Sequence, residues 1–475
     1  MKVITDLTPT PLNQDIIYNS LDTLQTFALF DEYKTLIPDW AQTTYQYSEK
    51  MLGPVMTMMR RGVLIDLPTR DRLVAALQLR LDKVIKTFDA LCLGLFDTDI
   101  NWNSPNQLKL LFFSFMAIPE QTKSKKGETK VATDREVLER IAGSYPRGAP
   151  FAKLILRIRD LEGQIEFLTK KLSTQNRFHT SYNLAGTETF RLSSNEHPLR
   201  IGSNQQNIPA LAREAFVADP GYVFFQADQQ GAEARLVAYI SGDENYIKAV
   251  ESGDVHTAVA SMVFGFAAER ELAEREYYRG YSYRSVTKKG THGASYYAKP
   301  FTMAKNLQIE LKEAERFLTT FFNKFPGISD WHLHTAKLLQ EKGINVNPFG
   351  IRRTFWGRRW DDTTLREAIV YGPQSCVGVL TNIGLYNLWL KYEGQPGAPL
   401  QILMNGHDAV IGQIRADLVD ELVPAVLKDL EFPFDVTDIN GVKRTVLIPF
   451  DMEIGQNWGK HSDANPGGLK KWKAK

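Results

Sequence analysis

Tyr222-Val-Phe-Phe-Gln-Ala-Asp228 is an apolar run that ends on a carboxylate, and a helical pattern, Gln229-Gln-Gly-Ala-Glu233-Ala-Arg235-Leu-Val-Ala-Tyr239, follows at once. Far downstream, Leu403-Met404-Asn405-Gly406-His407-Asp408-Ala409-Val410 sets two apolar strands around Asn-Gly, a strong hairpin signal. Taken alone, Asp228 reads more simply as a helix cap and Asp408 as a turn residue. Together they say more. Adjacent strands of one sheet would bring both carboxylates to one exposed end. Mg²⁺ typically takes one or two carboxylates and fills its shell with water and phosphate oxygens. Two such ions about 4 Å apart can stabilise the attacking and leaving oxygens of an in-line phosphoryl displacement.

A third stretch lies between them. Arg284, Lys288, His292 and Tyr296 recur every fourth residue, so on a helix they share one broad face. Two cations followed by two rings suit a nucleotide, and equally a solvated face with buried tyrosines.

Composition bounds the rest. The chain has 475 residues, 43% hydrophobic and 24% charged, and a net charge of +2. That length exceeds one core and that balance excludes bulk disorder. Two cysteines, Cys92 and Cys376, exclude a disulfide framework and a Cys-rich zinc site and point to a reducing compartment. No signal peptide or membrane-length apolar run is visible, so a cytoplasmic, unsecreted protein with no membrane partner is expected. A net charge of +2 does not announce a nucleic-acid partner, but positive charge is local: 123–130, Arg284 to Lys289, Arg352-Arg353 and Arg358-Arg359. A near-neutral sum is compatible with a basic cleft.

Two helical stripes stand out. Leu73, Leu77, Leu81, Val84, Phe88 and Leu91 form the first, and Leu154, Ile158, Leu161, Ile165, Leu168 and Leu172 the second. Each predicts a helix of about 20 residues, roughly 30 Å long, and the two suggest an antiparallel pair projecting from a body. Between them, Lys123, Lys125 and Lys126 mark a basic, flexible segment, either a solvated loop or a phosphate-contacting tip. Strands are predicted at 222–227, 401–404, 410–414 and 446–448. Helices are predicted at 229–241, 254–264, 284–298, 310–325 and 363–391. The tail 470–475 is basic.

These three sites, in this order, resemble motifs A, B and C of family A DNA polymerases, the DNA polymerase I type. The similarity is co-linear over nearly the whole chain. Thr187-Glu-Thr-Phe-Arg191-Leu-Ser-Ser194, Gln206-Asn207-Ile-Pro209, Asp254-Val-His256, Arg366 with Gln374, and Gly455-Gln-Asn-Trp458 match further family segments. The resemblance implies an α+β right-hand fold. It has a remnant of an exonuclease domain at 1–45, a first palm segment at 46–66 and a thumb at 67–172. Palm with motif A follows at 173–250, fingers at 251–370, and palm with motif C and the tail at 371–475. It implies template-directed extension of a primer 3′-OH with dNTPs, using two Mg²⁺ ions for which Mn²⁺ can substitute. Asp228 and Asp408 would bind metal, with the backbone carbonyl of Gln229. Glu233 would crowd the sugar 2′ position. Arg284 and Lys288 would hold the triphosphate, His292 would pack on the nucleotide, and Tyr296 would sit beside the templating base. Arg191, Gln206, Asn207, Arg366, Gln374 and His407 would contact primer–template DNA.

The departures from the family pattern carry expectations of their own. Gln229-Gln230 stands where Tyr-Ser is usual, Ala409 replaces a usual Glu, and His292 a usual Phe or Tyr. His292 is expected to stack still, with weaker nucleotide binding and altered dideoxynucleotide tolerance. Tyr18-Asn-Ser-Leu-Asp22 resembles the third motif of the family's proofreading exonuclease, and its upstream carboxylate motifs are absent from these 475 residues. The expectation is therefore a polymerase without 3′–5′ excision, of viral origin and acting in host cytoplasm. A separately encoded exonuclease or a processivity factor would be its further partners. Two rival expectations stand beside it: a single-subunit RNA polymerase, and an inactive polymerase-fold protein that binds primer–template DNA.

Overall fold

The computed structural model describes residues 11–125, 128–278, 280–394 and 397–473. Lys126, the first ten residues of the 1–45 segment and the last two of the basic tail lie outside the described residues. The chain divides into two compact units. One, here the sheet unit, comprises 53–232, 377–433 and 447–475, and the other, the helical unit, comprises 1–52, 233–376 and 434–446.

In the sheet unit, helix α1 (Leu67–Phe96) is opened by Asp66, whose side chain accepts from the Thr69 N–H, with a proline in the first turn. Helix α2 (Ala149–Leu168) joins it in one core. Leu73, Leu77, Leu81 and Phe88 face Phe151, Ile155, Ile158 and Leu161, and Phe88 meets Phe151 edge-on at 6.2 Å. α1 runs 30 residues, longer than its stripe, because the helix-forming Leu93 and Leu95 carry it past Leu91. The basic segment expected as a flexible loop is a hairpin, Thr122–Lys125 paired with Glu128–Val131. Thr122, Thr129 and Val131 supply the β-branched positions that favour pairing.

The sheet has five antiparallel strands. They are β1 (Tyr222–Gln229), β2 (Leu400–Asn405), β3 (Ala409–Arg415), β4 (Phe450–Gly455) and β5 (Lys470–Lys471), in the order β2-β3-β1-β4-β5. β1 is central, which explains its apolar run: Phe224 and Phe225 are fully buried. Ala409 pairs with Asp228 on one side and Asp451 pairs with it on the other. The strand expected at 446–448 lies elsewhere. Pairing ends at Val446 in a separate hairpin, and β4 begins at Phe450. Gly412 opposes Phe225 across the sheet, and a Cβ there would meet the Gln401 carbonyl and the Phe225 ring, each at 2.5 Å. Gly412→Val is expected to cost about 1–3 kcal/mol through overpacking, read as a lowered thermal midpoint.

The helical unit packs around Tyr246, Phe321, Phe325, Ile328 and Trp331, with Tyr246 and Phe325 rings 5.1 Å apart. Its helices include α3 (Ala232–Ser241), α4 (Val255–Phe264), α5 (Tyr283–Ser295) and α6 (Leu311–Lys324), together with the part of α7 (Asp362–Leu388) up to Cys376. Asp254 caps α4 by accepting from the Thr257 N–H. Gly290 lets α5 approach α6, since a Cβ there would meet the Phe317 ring at 2.7 Å. α5 stops three residues before its expected end at 298. Tyr297 takes a left-handed φ of 62°, and the Ala298 N–H turns back to the Gly293 carbonyl at 2.9 Å. Tyr296 is thus a cap residue rather than part of the helix. Among the described residues no helix is long and apolar enough to cross a membrane.

Candidate active site

In the sheet unit, Asp228 lies near the end of β1 and Asp408 immediately before β3. The Gln229 N–H donates to the Asp408 carbonyl at 3.0 Å, tying the two segments together. The turn is tight: the Gly406 N–H reaches the Ala409 carbonyl at 2.8 Å, and His407 takes φ 73°. Asn405 steadies it, accepting from the His407 N–H at 3.0 Å and donating to Asn382 at 3.1 Å. A chain of hydrogen bonds holds Asp228. The Trp458 indole donates to Gln226 Oε1 at 2.6 Å, and the Gln226 amide donates to Asp228 Oδ2 at 2.7 Å. The Arg213 guanidinium lies 4.4 Å over the Trp458 ring.

Burial pushes the Asp228 carboxyl up. The Gln226 bond opposes this, while Asp408, Glu453 and Asp451 add to it. A half-buried carboxylate short of counter-charge beside a second carboxylate fits a divalent cation. Among the described residues no group of three or more Asp, Glu, His or Cys gathers into a ready-made cage, so the fit rests on the Asp228–Asp408 pair. The Gln229 side chain is buried and bonded to Thr381 Oγ1 at 2.9 Å and the Val377 carbonyl at 3.3 Å. That removes its side chain from the expected metal and nucleotide role, leaving only its backbone carbonyl.

The helical unit carries the cation row. Arg284 is half-buried, Lys288 and His292 are exposed, and Tyr296 is buried. Arg284 pairs with Asp254 at 3.2 Å. Burial pushes the Asp254 carboxyl up, but bonds from Arg284 and Thr257 outweigh this and hold it well below the usual carboxylate range. Lys288 has no ion pair among the described residues. His256 was quoted above only as part of a family match, and the fold gives it a place. Burial first, then the charges of Arg284 and Lys288, lower its pKa to about 4, so it is neutral near pH 7. Its Nδ1 is buried without a hydrogen-bond partner among the described residues. Arg284 and Lys288 therefore set positive charge beside a neutral His256. His292 turns to Glu233, with Nε2 and Oε2 3.2 Å apart, and its ring meets Tyr296 edge-on at 4.8 Å.

The expected DNA contacts fare unevenly. Asn207 and Arg366 are exposed and Gln374 half-buried. Gln206 spends its amide on the Leu192 carbonyl at 2.8 Å and on Asn405, which makes it a brace of the turn before Asp408. His407 is half-buried, and burial and then Arg191 lower its pKa while Asp408 opposes them. A neutral imidazole follows, able to hydrogen-bond but not to neutralise a phosphate. Lys123 bonds Asp134 at 2.7 Å and Glu136 at 2.9 Å, an exposed arrangement that weakens its claim as a free phosphate contact.

Comparison with known proteins follows the same lines. DNA polymerase I of Chloroflexus aurantiacus is 28% identical over 477 residues, 95% of this chain and 47% of that protein. The thermostable DNA polymerase I of Thermus filiformis is 27% identical, covering 87% and 48%. That of Streptococcus pneumoniae is 30% identical, covering 86% and 45%. The chain thus spans about half the length of the curated relatives it matches. These relatives are bacterial, which gives the expectation of a viral source no support. The polymerase domain of Pol1 from M. smegmatis, solved with DNA primer-template and dNTP, has a similar fold. Its TM-score is 0.70 at 24% identity, over 85% of this chain and 69% of that one. The model of DNA polymerase family A matches residues 71–460, and the chain belongs to that family.

Proposed function

We propose that this chain extends a primer 3′-OH along a DNA template with dNTPs, by nucleotidyl transfer at a pair of divalent ions and without excision of its own. The observation that carries this is the Asp228–Asp408 pair: a backbone hydrogen bond ties the two segments at neighbouring strand ends, and burial and nearby carboxylates raise the Asp228 pKa. Two Mg²⁺ ions, when bound, would supply Lewis-acid stabilisation of the attacking and leaving oxygens. Asp228 and Asp408 hold them, with the Gln229 carbonyl. Arg284, Lys288 and neutral His256 answer the charge of the triphosphate and of the departing pyrophosphate. Glu233 crowds the sugar 2′ position, His292 packs on the nucleotide, and Tyr296 lies beside the templating base. Arg191, Asn207, Arg366 and Gln374 contact primer–template. Residues 67–172 act as thumb and 251–370 as fingers. A binding-only role is the second reading, and Ala409, in place of a usual Glu, is the observation in its favour.

Primer extension with Mg²⁺, comparing dNTPs with rNTPs, tests the proposal. Extension with dNTPs supports it, preference for rNTPs transfers the chain to RNA synthesis, and DNA binding without extension leaves the binder. Tyr18 and Asp22, the proofreading-like pair, lie on an exposed helix, Pro11–Tyr33. Excision of a 3′-mismatched primer that disappears in Asp22→Ala would contradict the absence of proofreading. The hydrogen-bond chain behind Asp228 gives a further check. Gln226→Leu is expected to weaken Mn²⁺ affinity about 10–100-fold, by losing the group that orients the carboxylate. Titration calorimetry reads it directly.

A further inference from the structure

The sheet sets more charge beside Asp228 than the pair described above. β1 lies between β3 and β4, and Asp228 stands in one cross-strand row with Ala409 on one side and Asp451 on the other. Paired residues of neighbouring antiparallel strands point to the same face, with Cβ atoms about 4.5–5.5 Å apart. Ala409 brings no charge to this row, so its second carboxylate is Asp451. That charge reaches the site. After burial, Asp408, Glu453 and Asp451 push the Asp228 carboxyl up, against the bond from Gln226.

Asp451 is not free. Lys471 Nζ lies 2.6 Å from Asp451 Oδ1, reaching diagonally onto β4 from its register position opposite Glu453. β5, which carries Lys471, is firmly mounted. The Trp472 N–H donates to the Met452 carbonyl at 2.8 Å, and the Leu469 N–H to the Gly459 carbonyl at 2.7 Å. Leu469 is buried in the same core as Phe224 and Trp458. A Cβ on Gly455 would meet the Gly468 carbonyl at 2.7 Å, so the two backbones approach as only glycines allow. The ion pair itself is open to solvent, with Lys471 64% and Asp451 39% exposed. Such a pair adds little to the fold, and its main consequence is the charge it cancels.

We propose that Asp451 supplies a third negative charge to the divalent ions at Asp228 and Asp408, and that Lys471 limits this charge by pairing with it. A bare carboxylate in this row attracts a dication, whereas one paired with an ammonium presents little net charge. A unit charge about 6 Å from a divalent ion, in water-like surroundings and at low salt, changes affinity about 3–10-fold. Lys471 acts through Asp451 and is a positioning residue. Metal affinity is thereby set from the edge of the sheet, by a side chain that touches neither ion. Both steps rest on the metal pair proposed above.

The test is calorimetric titration of Mn²⁺ into the full 475-residue chain at low salt, without DNA or nucleotide. D451N is expected to bind Mn²⁺ about 3–10-fold more weakly, and K471M about 3–10-fold more tightly. K471R should keep the parent affinity. In the D451N background, K471M should gain less than about twofold, because its effect runs through the carboxylate. Melting in chelator, which an exposed pair hardly affects, checks that each variant is folded. Unchanged affinity in D451N or in K471M overturns the inference. Equal gains from K471M in both backgrounds also overturn it, since Lys471 would then repel the ions directly. D228N separates this from the proposed function. If D228N loses Mn²⁺ binding while D451N and K471M bind as the parent does, the metal pair stands and this inference alone fails. If D228N binds as the parent does, the metal pair fails and this inference with it.

Discussion

Asp228→Ala is expected to abolish primer extension, lowering turnover by roughly three orders of magnitude or more. Single-turnover kinetics with dNTP and Mg²⁺ measures the loss. Binding of the dNTP should change far less, because the Arg284, Lys288 and His256 group is untouched. The signature is therefore a fall in kcat without a matching rise in KM. Extension that survives the substitution would sink the proposed mechanism. A second readout needs no catalysis. Burial and the neighbouring carboxylates raise the Asp228 pKa on folding. Such a group contributes stability that is fully present below its unfolded pKa and is lost as pH rises through its folded one. Once ionised, Asp228 is therefore a net cost to the fold. Asp228→Asn should then melt at a higher temperature than the parent when divalent ions are chelated. The parent should gain more than the variant when Mg²⁺ is restored. An Asn variant that melts lower, with an unchanged Mg²⁺ response, would show that the site is not strained in this way.

The carboxylate pair was legible because its signals are local. An apolar run ending in Asp and an Asn-Gly turn followed by an apolar run each announce a strand end, and β1 and β3 do pair with Ala409 opposite Asp228. β4 was not legible. Its sequence, Phe450-Asp-Met-Glu-Ile-Gly455, interrupts the apolar run with two acids. Only the fold shows those acids standing in the rows of Asp228 and Gln226. His256 was hidden for a similar reason. Nothing in Asp254-Val-His256 tells that α4 packs beside α5, and that contact makes the imidazole neutral next to two cations. The pairing of Lys123 with Asp134 and Glu136 depends on a hairpin whose lysines suggested a mobile tip. In each case the missing information was long-range pairing, which a local pattern does not carry.

Glu233→Ala is expected to relax sugar selection by about 100-fold, the scale on which a pocket rejects one added hydroxyl. Glu233 stands in the first turn of α3, four residues after β1 ends in the sequence. Replacing it with a methyl group removes the bulk proposed to exclude the 2′-OH. The rise should appear in kcat/KM for rNTPs, with dNTP incorporation reduced less. His292 modulates this. Its contact with Glu233 at 3.2 Å is an ionic bond only when the imidazole is protonated, and with His292 61% exposed such a pair contributes about 0–1 kcal/mol. His292→Phe should therefore shift rNTP discrimination at most about fivefold. His292→Tyr should also change dNTP KM and dideoxynucleotide incorporation, since the ring is proposed to pack on the nucleotide. Parallel competition assays on the three variants separate the roles. A large loss of discrimination in Glu233→Ala with a small one in His292→Phe assigns exclusion to the carboxylate and its orientation to the imidazole. Equal losses would mean that Glu233 acts only while His292 holds it, and unchanged discrimination in Glu233→Ala would remove it from sugar selection altogether.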